Sequence, residues 1–130
     1  MVQVITTGVN VLLSAARENV RTFSAAEAVA LHGGADTVFV DLEREGRIPG
    51  AFHCPRGMLE FWIDPESPYH KVIFAQDKQF LFFCASGWRS LLAADMAQKM
   101  GLKPVGDIEG GFTGWKAAGG PISVAEKDGK

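Results

Sequence analysis

The stretch Phe80-Leu-Phe-Phe-Cys84-Ala-Ser-Gly-Trp-Arg89-Ser90 holds the residues best suited to covalent chemistry, with one thiol followed closely by Gly87, Arg89 and Ser90. A cysteine acts as a nucleophile in its anionic form, so the neighbours that matter are those that favour negative charge on sulfur. Phe80 to Phe83 is an unbroken apolar run, which reads as a buried strand, and Ser90 to Met100 carries apolar residues at helical spacing. Cys84 is therefore expected at the carboxyl end of a strand, facing the start of a helix. Helix N-termini leave backbone N–H groups unpaired and carry partial positive charge, so an anion is favoured there. The amides from Ala85 through Arg89, Ser86 included, can form a concave nest of donors. Gly87 permits the tight turn, Arg89 adds a permanent charge with five donors, and Ser90 can cap the helix or donate one more hydrogen bond. Trp88 offers a large apolar face near the mouth. The competing reading is a small packed hydrophobe at a strand end, which is what most free cysteines are.

Other elements must bring partners to this edge. Thr37-Val-Phe-Val40-Asp41 is a second β-rich run, ending in a carboxylate. Ligands of open parallel sheets gather beyond the carboxyl ends of strands, which places Asp41 and Cys84 on one edge. Asp41 is expected to organise loop hydrogen bonds rather than to act as an acid or base. Val4 to Val20 contains an amphipathic helix over Val11 to Asn19, expected to pack on the domain as an extension, with a partner-binding helix as the alternative; polar substitution of Leu12 and Leu13 separates the two. Ser24-Ala-Ala-Glu27 has the capping-box pattern for a helix to about Leu31, ended by His32-Gly33-Gly34. Pro49-Gly50 forces a turn, and Ala51 to His53 can form a short strand. Met58 to Trp62 continues as a helix, and Lys71 to Ala75 reads as either helix or strand. Pro104 to Ile108 gives a further strand, and Phe112 to Ala118 a final helix. Strands alternating with helices argue for an α/β sandwich with a mainly parallel sheet.

At 130 residues the chain suits one domain. A hydrophobic content of 47% and a charged content of 22% are ordinary for a globular protein, and the net charge of −2 supplies no footprint for nucleic acid or an anionic membrane. Cys54 and Cys84 are the two cysteines. No zinc spacing, signal peptide or membrane span is legible, and an unstapled chain with a reactive thiol fits a reducing, cytoplasmic compartment. No metal or cofactor is called for.

His32 is read as a surface residue. Cys54 is read as packed, with a resolving thiol as the alternative. Asp64 to His70, punctuated by two prolines, is expected to form a lid-like loop beside the active edge. Phe61, Trp62 and Tyr69 would then line an apolar surface or simply pack.

Cys84-x-x-Gly87-x-Arg89-Ser90 resembles the active-site loop of rhodanese-like sulfurtransferases. Gly46-Arg-Ile-Pro49-Gly50-Ala51-Phe-His53 is similar to a second segment of that family, with Arg47 where histidine is usual. Gly110-Gly111-Phe112-Thr-Gly-Trp115 resembles its closing motif. The three fall in family order across most of the chain. The resemblance implies a rhodanese-like fold, with about five mainly parallel strands and helices on both faces. With the N-terminal helix and the short polar C-terminus, the chain divides into a helical extension (1–22), the domain (23–122) and a frayed tail (123–130). The resemblance implies a structural imidazole at His53. The family's usual aspartate, in D-x-R, falls at Asp41, which here is followed by Leu42-Glu43 and a shorter link to Gly46. The activity implied is sulfur transfer through a persulfide on Cys84, from thiosulfate or a persulfide to a small-molecule or protein acceptor. A persulfide carrier or binding module without turnover is the alternative. A cysteine phosphatase is a weaker one, because those enzymes place one residue more between cysteine and arginine than the four found here.

Overall fold

A computed structural model describes residues 2–43 and 48–123. The family-like segment at Gly46 and Arg47, and the tail from Val124 to Lys130, lie outside the described residues. Five strands, β1 (Arg21–Phe23), β2 (Thr37–Asp41), β3 (Phe52–His53), β4 (Gln79–Phe83) and β5 (Val105–Ile108), form one sheet in the order β1-β5-β4-β2-β3. All four pairings are parallel. Helices α1 (Val9–Asn19), α2 (Ala25–Leu31), α3 (Leu59–Ile63), α4 (Trp88–Lys99) and α5 (Gly111–Ala117) cover it on both faces.

β4 is the central strand, and a central parallel strand is buried on both sides, hence its continuous apolar sequence. Phe80 and Phe82 join the cluster with Leu13 and Ala16 of α1, Leu59 of α3 and Leu91 and Ala94 of α4. Leu81 and Phe83 join the opposite cluster, with Ala28 of α2 and Trp115 of α5. Ser24 closes the expected capping box with Glu27, which starts α2 directly after β1. The expected α/β architecture is thus present, with five parallel strands.

Several expectations change in detail. α1 begins at Val9, two residues before Val11, and Leu13 is buried while Leu12 is about half exposed, so one of the two leucines serves the core. β1 has only three residues and no apolar alternation long enough to announce it; its pairing with β5 makes it a strand. The Lys71 to Ala75 segment is neither α-helix nor strand but a 3-10 turn over Val72–Ala75. The proline-punctuated loop is not a lid on the cysteine edge. Asp64 and Pro65 border a pocket with Met100, Gly101 and Leu102, beyond the C-terminus of α4. Cys84 precedes the N-terminus of that 12-residue helix, roughly 18 Å away along its axis. Trp62 packs against Phe52, while Phe61 and Tyr69 pair edge to face in the open.

Candidate active site

Parallel pairing aligns Asp41 with Phe83, so the carboxylate and the thiol lie at the same sheet edge, as the sequence implies. Beyond Phe83 the chain passes through Cys84, Ala85 and Ser86 to Gly87, whose φ of 108° is a left-handed value that favours glycine. α4 starts at Trp88, two residues earlier than the apolar spacing suggests. The amides of Trp88, Arg89 and Ser90 therefore occupy the first turn, where no intrahelical acceptor exists.

Cys84 is 1% exposed, and its sulfur sits among polar groups. The Gly87 N–H donates to Sγ at 3.1 Å, and the thiol lies 3.6 Å from Ser90 Oγ as donor. Of the amides expected to form a nest, Gly87 is the one that donates to sulfur among the described residues. Ser90 is fully buried; its hydroxyl contacts the Gly87 carbonyl at 3.3 Å and makes a short hydrogen bond to Asp107 Oδ1.

The far side of the loop is clamped by α5. The Phe112 N–H donates to the Cys84 carbonyl at 2.8 Å and the Thr113 N–H to the Ala85 carbonyl at 3.1 Å. So close an approach needs Gly111, where φ is +57° and an added Cβ would overlap the Cys84 carbonyl oxygen. The tandem glycines thus belong to the loop's support as well as to the helix start.

Arg89 does not wrap the sulfur. Its side chain is 65% exposed and its Nε is ion-paired with Glu43, which follows β2. The Asp41 carboxylate accepts from the Glu43 N–H at 2.9 Å, and its carbonyl accepts from the Cys54 N–H at 2.8 Å. Asp41 therefore shapes the turn that presents Glu43 to Arg89. His53 Nδ1 lies 3.0 Å from the same carbonyl, a structural contact. His32 is not a surface residue: it is partly buried, sits edge-on to Phe39 and Trp115, and bonds the Pro49 carbonyl at 2.8 Å. Cys54 is fully buried, and burial pushes its thiol up to about 12.

Beside the loop lies a cleft of about 430 Å³, bordered by Ser86, Gly87 and Trp88 and carrying Arg17, Asp107 and Glu109. Trp88 is 58% exposed at its rim. Asp107 is 3% exposed, and burial pushes its carboxyl up to about 7 against the lowering effects of Ser90 and Arg17. Neither Asp107 nor Arg17 was singled out from sequence. The available signal was an aspartate two residues after Val105 in a short strand, hence on the same buried face.

Residues 20–118 match the family described as the rhodanese-like domain. The mitochondrial thiosulfate sulfurtransferase RDL2 of Saccharomyces cerevisiae is 40% identical over 60 residues, 43% of this chain and 40% of that protein. The thiosulfate:glutathione sulfurtransferase of Homo sapiens is 28% identical over 76 residues, 54% of this chain and 66% of that protein. The chain thus spans less than two thirds of the length of either curated relative. A solved structure from Rhodopseudomonas palustris, of a protein described as of unknown function and a possible tyrosine phosphatase, is 55% identical. It superposes with a TM-score of 0.91, covering 95% of this chain and 99% of that one.

Proposed function

The chain belongs to the rhodanese-like domain family, and from that premise we propose that it is a sulfurtransferase carrying sulfane sulfur on Cys84. In loading, the Cys84 thiolate attacks the outer sulfur of the donor. A new S–S bond forms, the donor's own S–S bond breaks, and the donor leaves with the electron pair as sulfite or a thiolate. In unloading, a nucleophilic acceptor takes the terminal sulfur and Cys84 departs as a thiolate. Both steps place negative charge where the Gly87 amide and the first turn of α4 point partial positive charge. That placement of a thiol at the strand-to-helix junction is the observation that carries the reading.

The charges around the loop favour a persulfide donor over thiosulfate. Arg89 is occupied by Glu43, and Arg17 shares the adjoining cleft with the Glu109 carboxylate. A dianion gains little there, whereas the exposed Trp88 suits an organic thiol or a protein surface. The phosphatase reading draws on the description of the Rhodopseudomonas palustris protein. Against it stand the four-residue spacing from Cys84 to Arg89 and the pairing of Arg89 away from the thiol.

Intact-mass analysis after incubation with thiosulfate or a glutathione persulfide tests the assignment. The expected result is a gain of one sulfur atom on the wild-type chain, lost on adding cyanide or a thiol, and no gain in Cys84→Ser. A stable adduct that no small acceptor removes would make the protein a carrier. Cys84-dependent turnover of an aryl phosphate with no sulfur adduct would replace the assignment with a phosphatase.

A further inference from the structure

Asp107 is a buried carboxylate that the sulfur-transfer steps above do not use. It sits on β5 in register with Thr22 of β1 and Phe82 of β4, on the sheet face covered by α1 and α4. Its Oδ1 accepts from Ser90 Oγ, and Ser90 Oγ is the atom to which the Cys84 thiol points at 3.6 Å. Cys84, Ser90 and Asp107 are respectively 1%, 0% and 3% exposed, so the three groups form a chain shielded from bulk water.

We propose that Asp107 is the proton acceptor for Cys84, reached through the Ser90 hydroxyl, and so the positioning residue that holds the proton while the sulfur is anionic. The inference rests on the reading of Cys84 as the sulfur carrier and adds to it the fate of the thiol proton. The Cys84 S–H bond breaks with its electron pair left on sulfur, and the proton passes to Ser90 Oγ. Ser90's original proton passes to Asp107 Oδ1. The products are a thiolate, an unchanged hydroxyl now donating to sulfur, and a neutral carboxylic acid donating to the hydroxyl. No charge is created inside the fold; one negative charge moves from carboxylate to sulfur. Separating that charge from water is costly, so moving it costs less than forming a second one.

The surroundings suit a group that exchanges a proton near neutrality. The positive charge of Arg17 of α1 favours the anionic form of Asp107, and Glu109, just past β5, lines the same cleft. From α4 the facing group is Ser90, from β1 it is Thr22, and from β4 it is apolar Phe82. Burial outweighs Arg17, and the carboxyl is raised to about 7. Two coupled groups that share a proton titrate as a pair, in two macroscopic steps.

The test is the pH profile of Cys84 alkylation by iodoacetamide on the full chain, read by peptide-resolved mass spectrometry. The wild type is expected to show two steps, the lower in the range where Asp107 titrates. Asp107→Asn is expected to lose the lower step and show one. A single step of the same midpoint in both would overturn the proposal and leave Asp107 structural. If Asp107→Asn does not fold, the ¹³C signal of the Asp107 carboxyl in the wild type and in Cys84→Ser decides. Two steps collapsing to one in Cys84→Ser supports proton sharing, and identical curves overturn it. Alkylation requires no sulfur transfer, so failure of the sulfurtransferase assignment shows separately, as the absence of a sulfur adduct.

Discussion

Replacing Gly111 by alanine should damage the cysteine loop without touching any reacting atom. The added Cβ would overlap the Cys84 carbonyl oxygen and lie 2.8 Å from the carbonyl carbon and oxygen of Ala85. Ordinary carbon contacts are about 3.5 Å or longer, so the loop and α5 must part by roughly 1 Å. That shift breaks the hydrogen bonds from Phe112 N–H to Cys84 and from Thr113 N–H to Ala85. Each contributes about 1 kcal/mol. Holding alanine at φ +57° adds about 1 kcal/mol more, for a total near 3 kcal/mol. For a chain of this length that lowers Tm by roughly 10 °C. A 1 Å displacement of the nucleophile costs on the order of 10²-fold in rate. Gly119→Ala is the control. Gly119 has a φ of +81° with nothing within 4 Å, so it carries the conformational penalty alone, about 1 kcal/mol, and spares the loop. Thermal melts and the rate of sulfur loading on Cys84 measure both effects. If Gly111→Ala melts and loads sulfur no worse than Gly119→Ala, the clamp does not support the loop.

Glu43→Gln removes the negative charge that holds Arg89; Arg89 is 65% exposed but Glu43 only 15%, so stability should change by about 1 kcal/mol. The freed guanidinium should lower KM for thiosulfate by roughly 3-fold at constant kcat, and an unchanged or higher KM in steady-state kinetics would refute this. Cys54, raised to about 12 by burial, should resist alkylation at about pH 8 in the native chain and react readily in denaturant. Equal labelling rates in the two states would show that the fold does not hold this thiol protonated. Asp107 titrates at about 7 when folded against a usual 3.8, so the unfolded chain binds its proton less tightly. Its contribution is full below about pH 3.8 and is lost as pH rises through about 7, a change of roughly 4 kcal/mol at most. Urea midpoints at about pH 5 and pH 8 should therefore fall for the wild type relative to Asp107→Asn, and parallel profiles would show that the carboxylate is ionised at both.

What could be read from the chain alone was whatever depends on neighbours in sequence. The apolar run before Cys84 marks a strand buried on both faces, and Ser24 with Glu27 marks a helix start. Gly87 marks the turn, and three motifs in order mark the family. Each of these rests on backbone preferences and on contacts a few residues apart. The tertiary structure decided what depends on strands that meet only in the sheet. β1 has three residues and exists because β5 lies beside it. Arg89 turns to Glu43 because the pairing of β2 with β4 brings the end of one strand to the loop after the other. The proline-rich loop sits at the far end of α4 because α3 packs against that helix. Asp107 comes to Ser90 because β5 lies next to β4, whose end leads into α4. A buried charge is set by what surrounds it in space, and these neighbours lie too far apart in sequence for local spacing to reveal them.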